Sequence, residues 1–178
     1  MNIVLIGFRG VGKTTVGKIL ARKLGMDFID SDDYIEQKYG LAVSEFFRGR
    51  GESFFRLLES DAITELSKFD SRVISVGGGA ILKYRNIKNL KRHGVILLLQ
   101  ADCDTVFRRL QADICTPRQR PPLTAQTDLY TEIKEVMEFR KPYYERAADY
   151  TIDTTSKNVD NVIAEILEIM KEAGFIPM

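Results

Sequence analysis

The residues Gly7-Phe8-Arg9-Gly10-Val11-Gly12-Lys13-Thr14 fit the pattern GxxxxGK[ST], directly between an apolar run and an amphipathic one. Glycines at this spacing let backbone N–H groups converge on phosphate oxygens without Cβ clashes. A helix starting at Lys13 would aim its positive dipole end at the same place. Lys13 would reach the β- and γ-phosphates of a nucleoside triphosphate, and the Thr14 hydroxyl would ligate Mg²⁺. The candidate nucleotide-binding residues are Gly10, Val11, Gly12, Lys13, Thr14 and Thr15. A glycine turn that merely precedes a helix is the alternative, and the Lys-Thr pair argues against it. The motif indicates triphosphate binding and says little about what is done with it.

Two carboxylates follow about one βα unit later, in Asp30-Ser31-Asp32. In an extended segment residues i and i+2 point the same way, so both could face one site. One could organise Mg²⁺ through water while the other accepts a hydroxyl proton. In the plainer reading Asp30 ends a strand and Ser31 or Asp32 caps a helix. Neither DxxG nor a guanine-reading NKxD occurs, so a GTPase switch is remote.

These motifs need elements to hold them. Apolar runs at Asn2–Ile6, Met26–Asp30, Val73–Val76, Val95–Leu99 and Tyr150–Ile152 read as five strands. Helical patterns run over Val11–Leu24, Asp33–Tyr39, Val43–Arg48, Glu52–Phe69, Thr105–Gln111, Asp128–Ala147 (bent or interrupted near Pro142) and Asn158–Ala173. His93 follows Lys91-Arg92 at the end of a further helix. The polar, proline-containing segment 113–126 reads as a loop. Alternating β and α with fully apolar strands predicts an α/β fold, three layers with a five-stranded parallel sheet. Ligands in such sheets bind beyond the carboxyl ends of the strands, where both motifs fall.

The whole chain narrows the options further. Its 178 residues fit one domain, and no repeat or linker divides it. Lys and Arg number 26 against 25 Asp and Glu, a formal charge of +1 that gives no support for a nucleic-acid partner. Affinity for anions must come from a local cluster. Two cysteines, Cys103 and Cys115, make no disulfide framework. The opening apolar run is too short for a secretory or membrane segment, so a cytoplasmic protein is expected.

Gly7–Thr15, Phe28-Ile29-Asp30-Ser31-Asp32, Gly51-Glu52-Ser53-Phe54-Phe55-Arg56, Gly77-Gly78-Gly79 and Arg120-Pro121, in that order, resemble the shikimate kinase family over nearly the whole chain. GExxFR joined to GGG is the specific part. The resemblance implies a nucleoside-monophosphate-kinase-like P-loop core with a substrate-binding segment (about 31–60) and a lid (about 112–126). It implies transfer of the ATP γ-phosphate to the 3-hydroxyl of shikimate, on the route to aromatic amino acids, by a monomer needing ATP and Mg²⁺.

By that resemblance Arg56 and Arg140 pair with the shikimate carboxylate, a task suited to a planar fork. Glu59, at i+3 from Arg56, could hold its guanidinium. Gly78 and Gly79 offer close backbone approach to the substrate, and Phe47 and Phe55 an apolar wall. Asp32 contacts the acceptor hydroxyls and serves as base, while Asp30 reaches Mg²⁺ through water. Arg120 resembles the lid arginine that folds over the transferred group, so Lys13, Asp32 and Arg120 are the expected catalytic residues. The chain departs from the family's RPLL at Arg120-Pro121-Pro122-Leu123. Nor does it show the usual adenine-stacking arginine, for which Arg109 and the turn 153–157 are the candidates. A gluconate-kinase-like enzyme and a non-catalytic nucleotide-binding regulator remain as alternatives.

Overall fold

A computed structural model of the chain describes residues 1–112 and 128–176. The expected lid beyond Ala112, with Arg118 and Arg120, lies outside the described residues. The strands are β1 (Asn2–Ile6), β2 (Asp27–Asp30), β3 (Arg72–Ser75), β4 (Gly94–Gln100) and β5 (Tyr150–Asp153). They form one sheet in the order β2-β3-β1-β4-β5, and every pairing is parallel. The helices are α1 (Lys13–Leu24), α2 (Ser31–Tyr39), α3 (Val43–Leu66), α4 (Tyr84–Lys91), α5 (Cys103–Ala112), α6 (Leu129–Ala147) and α7 (Val159–Glu172).

Strand alternation explains the three layers. Ile3, Leu5, Val95, Leu97 and Leu99 face one way, onto Val16 and Leu20 of α1, Val106 of α5 and Ile163 and Ile166 of α7. Val4, Ile6, Ile96 and Leu98 face the other way, onto Ile63 and Leu66 of α3, Leu90 of α4 and Tyr144 of α6. Strands buried on both faces must be apolar at every position, which is the run-like pattern seen in the sequence.

Three differences from the pattern reading are informative. Val43–Arg48 and Glu52–Phe69 join as α3, in which Gly51 alone leaves helical geometry (φ 78°, ψ 169°). That conformation is open to glycine and costly for other residues. Helix α6 runs through Pro142 as one element. The helix ending before His93 is α4, whose only apolar residues are Ile87 and Leu90, spaced i and i+3.

A separate small apolar cluster joins α2 to α3: Ile35, Phe46, Phe55 and Ala62 are buried together. It lies apart from the two sheet-facing clusters. Phe46→Ala should therefore cost about 3–5 kcal/mol locally. Hydrogen exchange should quicken in α2 and the first half of α3 while β1 and β4 amides keep their protection. A uniform loss of protection would show that the segment has no stability of its own.

Candidate active site

The sheet order sets the geometry. Because β2, β3 and β1 are neighbours, the segments leaving their carboxyl ends lie side by side. These are Asp30-Ser31-Asp32, Gly77-Gly78-Gly79 and the Gly7–Gly12 loop. Their spacing is that of hydrogen-bonded strands, about 5 Å.

The loop enters α1 through Gly12, which is left-handed (φ 98°) and leaves the helix start without a side-chain cap. Lys13 is nine-tenths buried, and its Nζ donates to the carbonyls of Gly7 (2.8 Å) and Phe8 (3.0 Å). The ammonium is thus held across the mouth of its own loop. Beside it, Arg109 of α5 donates to Thr154 Oγ1 (3.1 Å) and to the Thr154 carbonyl (2.8 Å). The two adenine-side candidates therefore adjoin each other.

Asp30 does two jobs. Its Oδ1 accepts from the Asp32 amide at 3.0 Å and caps α2, and its Oδ2 accepts from Thr14 Oγ1 at 3.1 Å. The cap of α2 is therefore Asp30, one residue earlier than the Ser31 or Asp32 expected from the sequence. Asp32 reaches the site from the first turn of α2 rather than from an extended strand, because the chain turns helical at Ser31. Asp30 and Asp32 are thus not two residues of one extended strand: Asp32 lines the cleft described below, while Asp30 is turned to Thr14 and the α2 amide. Ser31, fully buried, accepts from the Gly77 amide at 3.0 Å and ties the two segments together.

A cleft of about 340 Å³ opens between these segments, α3 and α6. Asp32, Arg56, Gly78, Gly79 and Arg140 all line it, as do Phe47 and Phe55, whose ring centroids are 4.8 Å apart. Arg9, Glu52 and Glu59 line it too. Among the described residues that line it, three arginines meet three carboxylates, so the cleft is not a net positive patch. Thr15 is exposed at the start of α1, apart from this group.

Arg56 donates to Glu59 Oε2 through Nη1 (2.8 Å) and to Glu52 Oε1 through Nε (3.1 Å) and Nη2 (2.9 Å). Burial works against its charge, yet the two carboxylates outweigh burial and hold it above the usual arginine range. Glu59 is 1% exposed, and its Oε1 has no hydrogen-bond partner among the described residues. Burial pushes its carboxyl up to about 7; Arg56 pulls the other way and loses, and Asp32 adds to the rise. Tyr144 donates to the Gly78 carbonyl at 2.7 Å, and burial pushes its phenol up to about 12.

The donor set fits a hard cation held with phosphates. Among the described residues no group of three or more His, Cys, Asp or Glu could hold a metal by itself. The Thr14 hydroxyl and Asp30 carboxylate instead offer the one or two oxygens that Mg²⁺ takes from a protein when phosphates and water supply the rest.

The sequence model of shikimate kinase matches residues 9–171. The chain belongs to the shikimate kinase family. Shikimate kinase of Caldanaerobacter subterraneus subsp. tengcongensis is 43% identical over 93% of this chain and 94% of its own. That of Thermodesulfovibrio yellowstonii is 42% identical over 94% and 93%. The solved shikimate kinase of Acinetobacter baumannii in complex with shikimate superposes with a TM-score of 0.89 at 33% identity, over 97% of this chain and 93% of that one.

Sequence reasoning missed three features of this family member's site: the Ser31–Gly77 tie, the Tyr144 hydroxyl on Gly78, and the grip of Glu52 on Arg56. Only the last had a signal, the i, i+4 spacing of opposite charges. Glu59 yields a pH prediction. Its folded value (about 7) lies above its ordinary 4.5, so the stability it contributes is complete below 4.5 and lost as pH rises to 7. Glu59→Gln removes this slope. The variant's stability relative to wild type should rise across that window by on the order of 2–4 kcal/mol in denaturant unfolding. A difference that stays flat with pH would contradict the burial account.

Proposed function

We propose that the chain transfers the γ-phosphate of ATP to the 3-hydroxyl of shikimate, giving shikimate 3-phosphate and ADP. One observation carries this reading: Asp32, Arg56, Gly78 and Arg140 surround a single small cleft next to the phosphate loop. A compact acceptor with a carboxylate, a ring and hydroxyls meets a complementary group at each point. Arg56 and Arg140 take the carboxylate, Phe47 and Phe55 the ring, and Asp32 the hydroxyl.

Phosphoryl transfer through a loose transition state asks the protein for positioning and charge neutralisation more than for covalent chemistry. On this reading Lys13 leaves the Gly7 and Phe8 carbonyls for the β- and γ-phosphate oxygens and meets the charge that spreads over them. The Gly10–Thr15 backbone holds the remaining phosphates. Asp32 accepts the acceptor's hydroxyl proton as its oxygen bonds to phosphorus and the bond to ADP breaks. Thr14, and Asp30 through water, would hold Mg²⁺, which would supply further charge neutralisation. Residues 31–60 form the acceptor-binding segment. Arg120, the third expected catalytic residue, and the expected lid at about 112–126 lie outside the described residues.

A cytoplasmic monomer with no nucleic-acid or membrane partner completes the reading. Among the described residues no helix is long and apolar enough to cross a membrane.

The test is ATP turnover, with and without Mg²⁺, against shikimate, gluconate and nucleoside monophosphates as separate acceptors. ADP should be released rapidly only with shikimate and Mg²⁺. Lys13→Ala should lower kcat by about 10²-fold or more. Arg140→Lys should raise the shikimate KM about tenfold, since a point charge replaces a fork. Equal rates on all acceptors would overturn the assignment, and so would an undiminished kcat in Lys13→Ala.

A further inference from the structure

Arg56 is already bound to a carboxylate in the place where an acceptor's carboxylate should go. Its inner donor, Nη1, is held by Glu59, which is 1% exposed and cannot leave without disturbing the interior. Its fork edge, Nε with Nη2, is held by Glu52, whose side chain is 61% exposed. The paired N–H groups of that edge are the ones that match a carboxylate. Resting on the shikimate kinase reading above, we infer that Glu52 is an internal stand-in for the acceptor's carboxylate and competes with it for Arg56.

Three observations make the exchange feasible. Both bonds from Arg56 end on a single oxygen, Glu52 Oε1, so the grip is not the two-oxygen arrangement that gives such pairs their strength. An incoming carboxylate can give Nε and Nη2 one oxygen each. Glu52 also follows Gly51, where α3 leaves helical geometry. Once displaced it stands in the first turn of the second half of α3, where water and the helix dipole both accommodate a negative charge. Finally, Arg56 does not need Glu52 to keep its place. The buried Glu59 holds it, the Phe55 ring lies 5.5 Å from its Cζ, and Gly79 lets the guanidinium pack against the backbone.

Charge gives the competition its purpose. With Glu52 and Glu59 both on it, Arg56 is already matched by carboxylates while the cleft is empty. A third carboxylate is repelled unless Glu52 swings out. Glu52 therefore sets the affinity for the acceptor's carboxylate, while contacts to the ring and hydroxyls are indifferent to it.

The experiment compares wild type, Glu52→Ala and Glu52→Gln. It measures the Kd of shikimate and of the same ring triol lacking the carboxylate by calorimetry, alongside KM and kcat. Glu52→Ala should bind shikimate about two- to fivefold more tightly, the equivalent of losing an exposed ion pair. Glu52→Gln should fall between it and wild type, and the Kd of the uncharged triol should not change with any variant. Shikimate binding that is unchanged or weaker in Glu52→Ala would overturn the inference. So would an equal gain for the two ligands, which would mean that Glu52 obstructs the cleft sterically. Wild-type protein with no shikimate turnover would sink the function itself; wild-type turnover with no gain in affinity would sink only the stand-in.

Discussion

Three consecutive residues after β3 carry no side chains, and the charged groups of the cleft are packed onto that bare backbone. A Cβ on Gly77 would lie 2.7 Å from Glu59 Oε1 and 3.0 Å from Asp32 Oδ1. One on Gly79 would lie 2.3 Å from Arg56 Nη2. Gly78 is tight but less absolute, with Tyr144 OH at 3.2 Å and Arg140 Nη1 at 3.3 Å. None of the three has a positive φ, so it is space rather than backbone conformation that demands glycine. A methyl group at either outer position would push apart the groups that the cleft needs together. Asp32 comes from α2, Arg56 and Glu59 from α3, and Arg140 from α6. This close approach is what makes one site of them.

The sheet makes that approach possible. The order β2-β3-β1 sets the β3 exit between the other two, so the glycines stand between the carboxylates of the β2 exit and the phosphate loop of the β1 exit. Asp30 then couples two functions through one side chain. By capping α2 it fixes the orientation of Asp32, and by accepting from Thr14 it fixes the hydroxyl at the start of α1. A change at Asp30 would therefore be felt at both Asp32 and Thr14.

Much of this was legible beforehand because it rests on residue types with few alternatives. A glycine-rich loop ending in Lys-Thr between a strand and a helix has one common use, and continuous apolar strands imply a sheet covered on both faces. The positions of Asp30, Asp32, Arg56, Gly78 and Arg140 were legible only through motif order, since a helical Arg–Glu pair at i, i+3 is ordinary by itself. What pattern could not reveal was which of two available carboxylates takes which edge of Arg56. Glu52 at i−4 and Glu59 at i+3 are equally compatible with helical spacing. Burial decides between their roles, and burial depends on how α3 packs over the glycines. Helix α4 was hard to delimit for a related reason: its stripe of Ile87 and Leu90 is too short to show a period.

The same packing explains why a costly group is tolerated. Glu59 is a buried carboxyl with one oxygen unpartnered among the described residues, and burial, outweighing Arg56 and helped by Asp32, moves its titration up to about 7. An apolar residue of similar volume would often be no less stable than a buried ion pair. It would, however, leave Arg56 anchored only by exposed Glu52, on the edge that faces the cleft. Holding the guanidinium from behind, through a buried carboxyl that cannot leave, keeps that outer edge aimed at the cavity. The molecule gives up local stability at Glu59 and gains a fixed cation beside a phosphate loop. Arg56 is thus held asymmetrically, by one buried carboxyl and one exposed carboxylate.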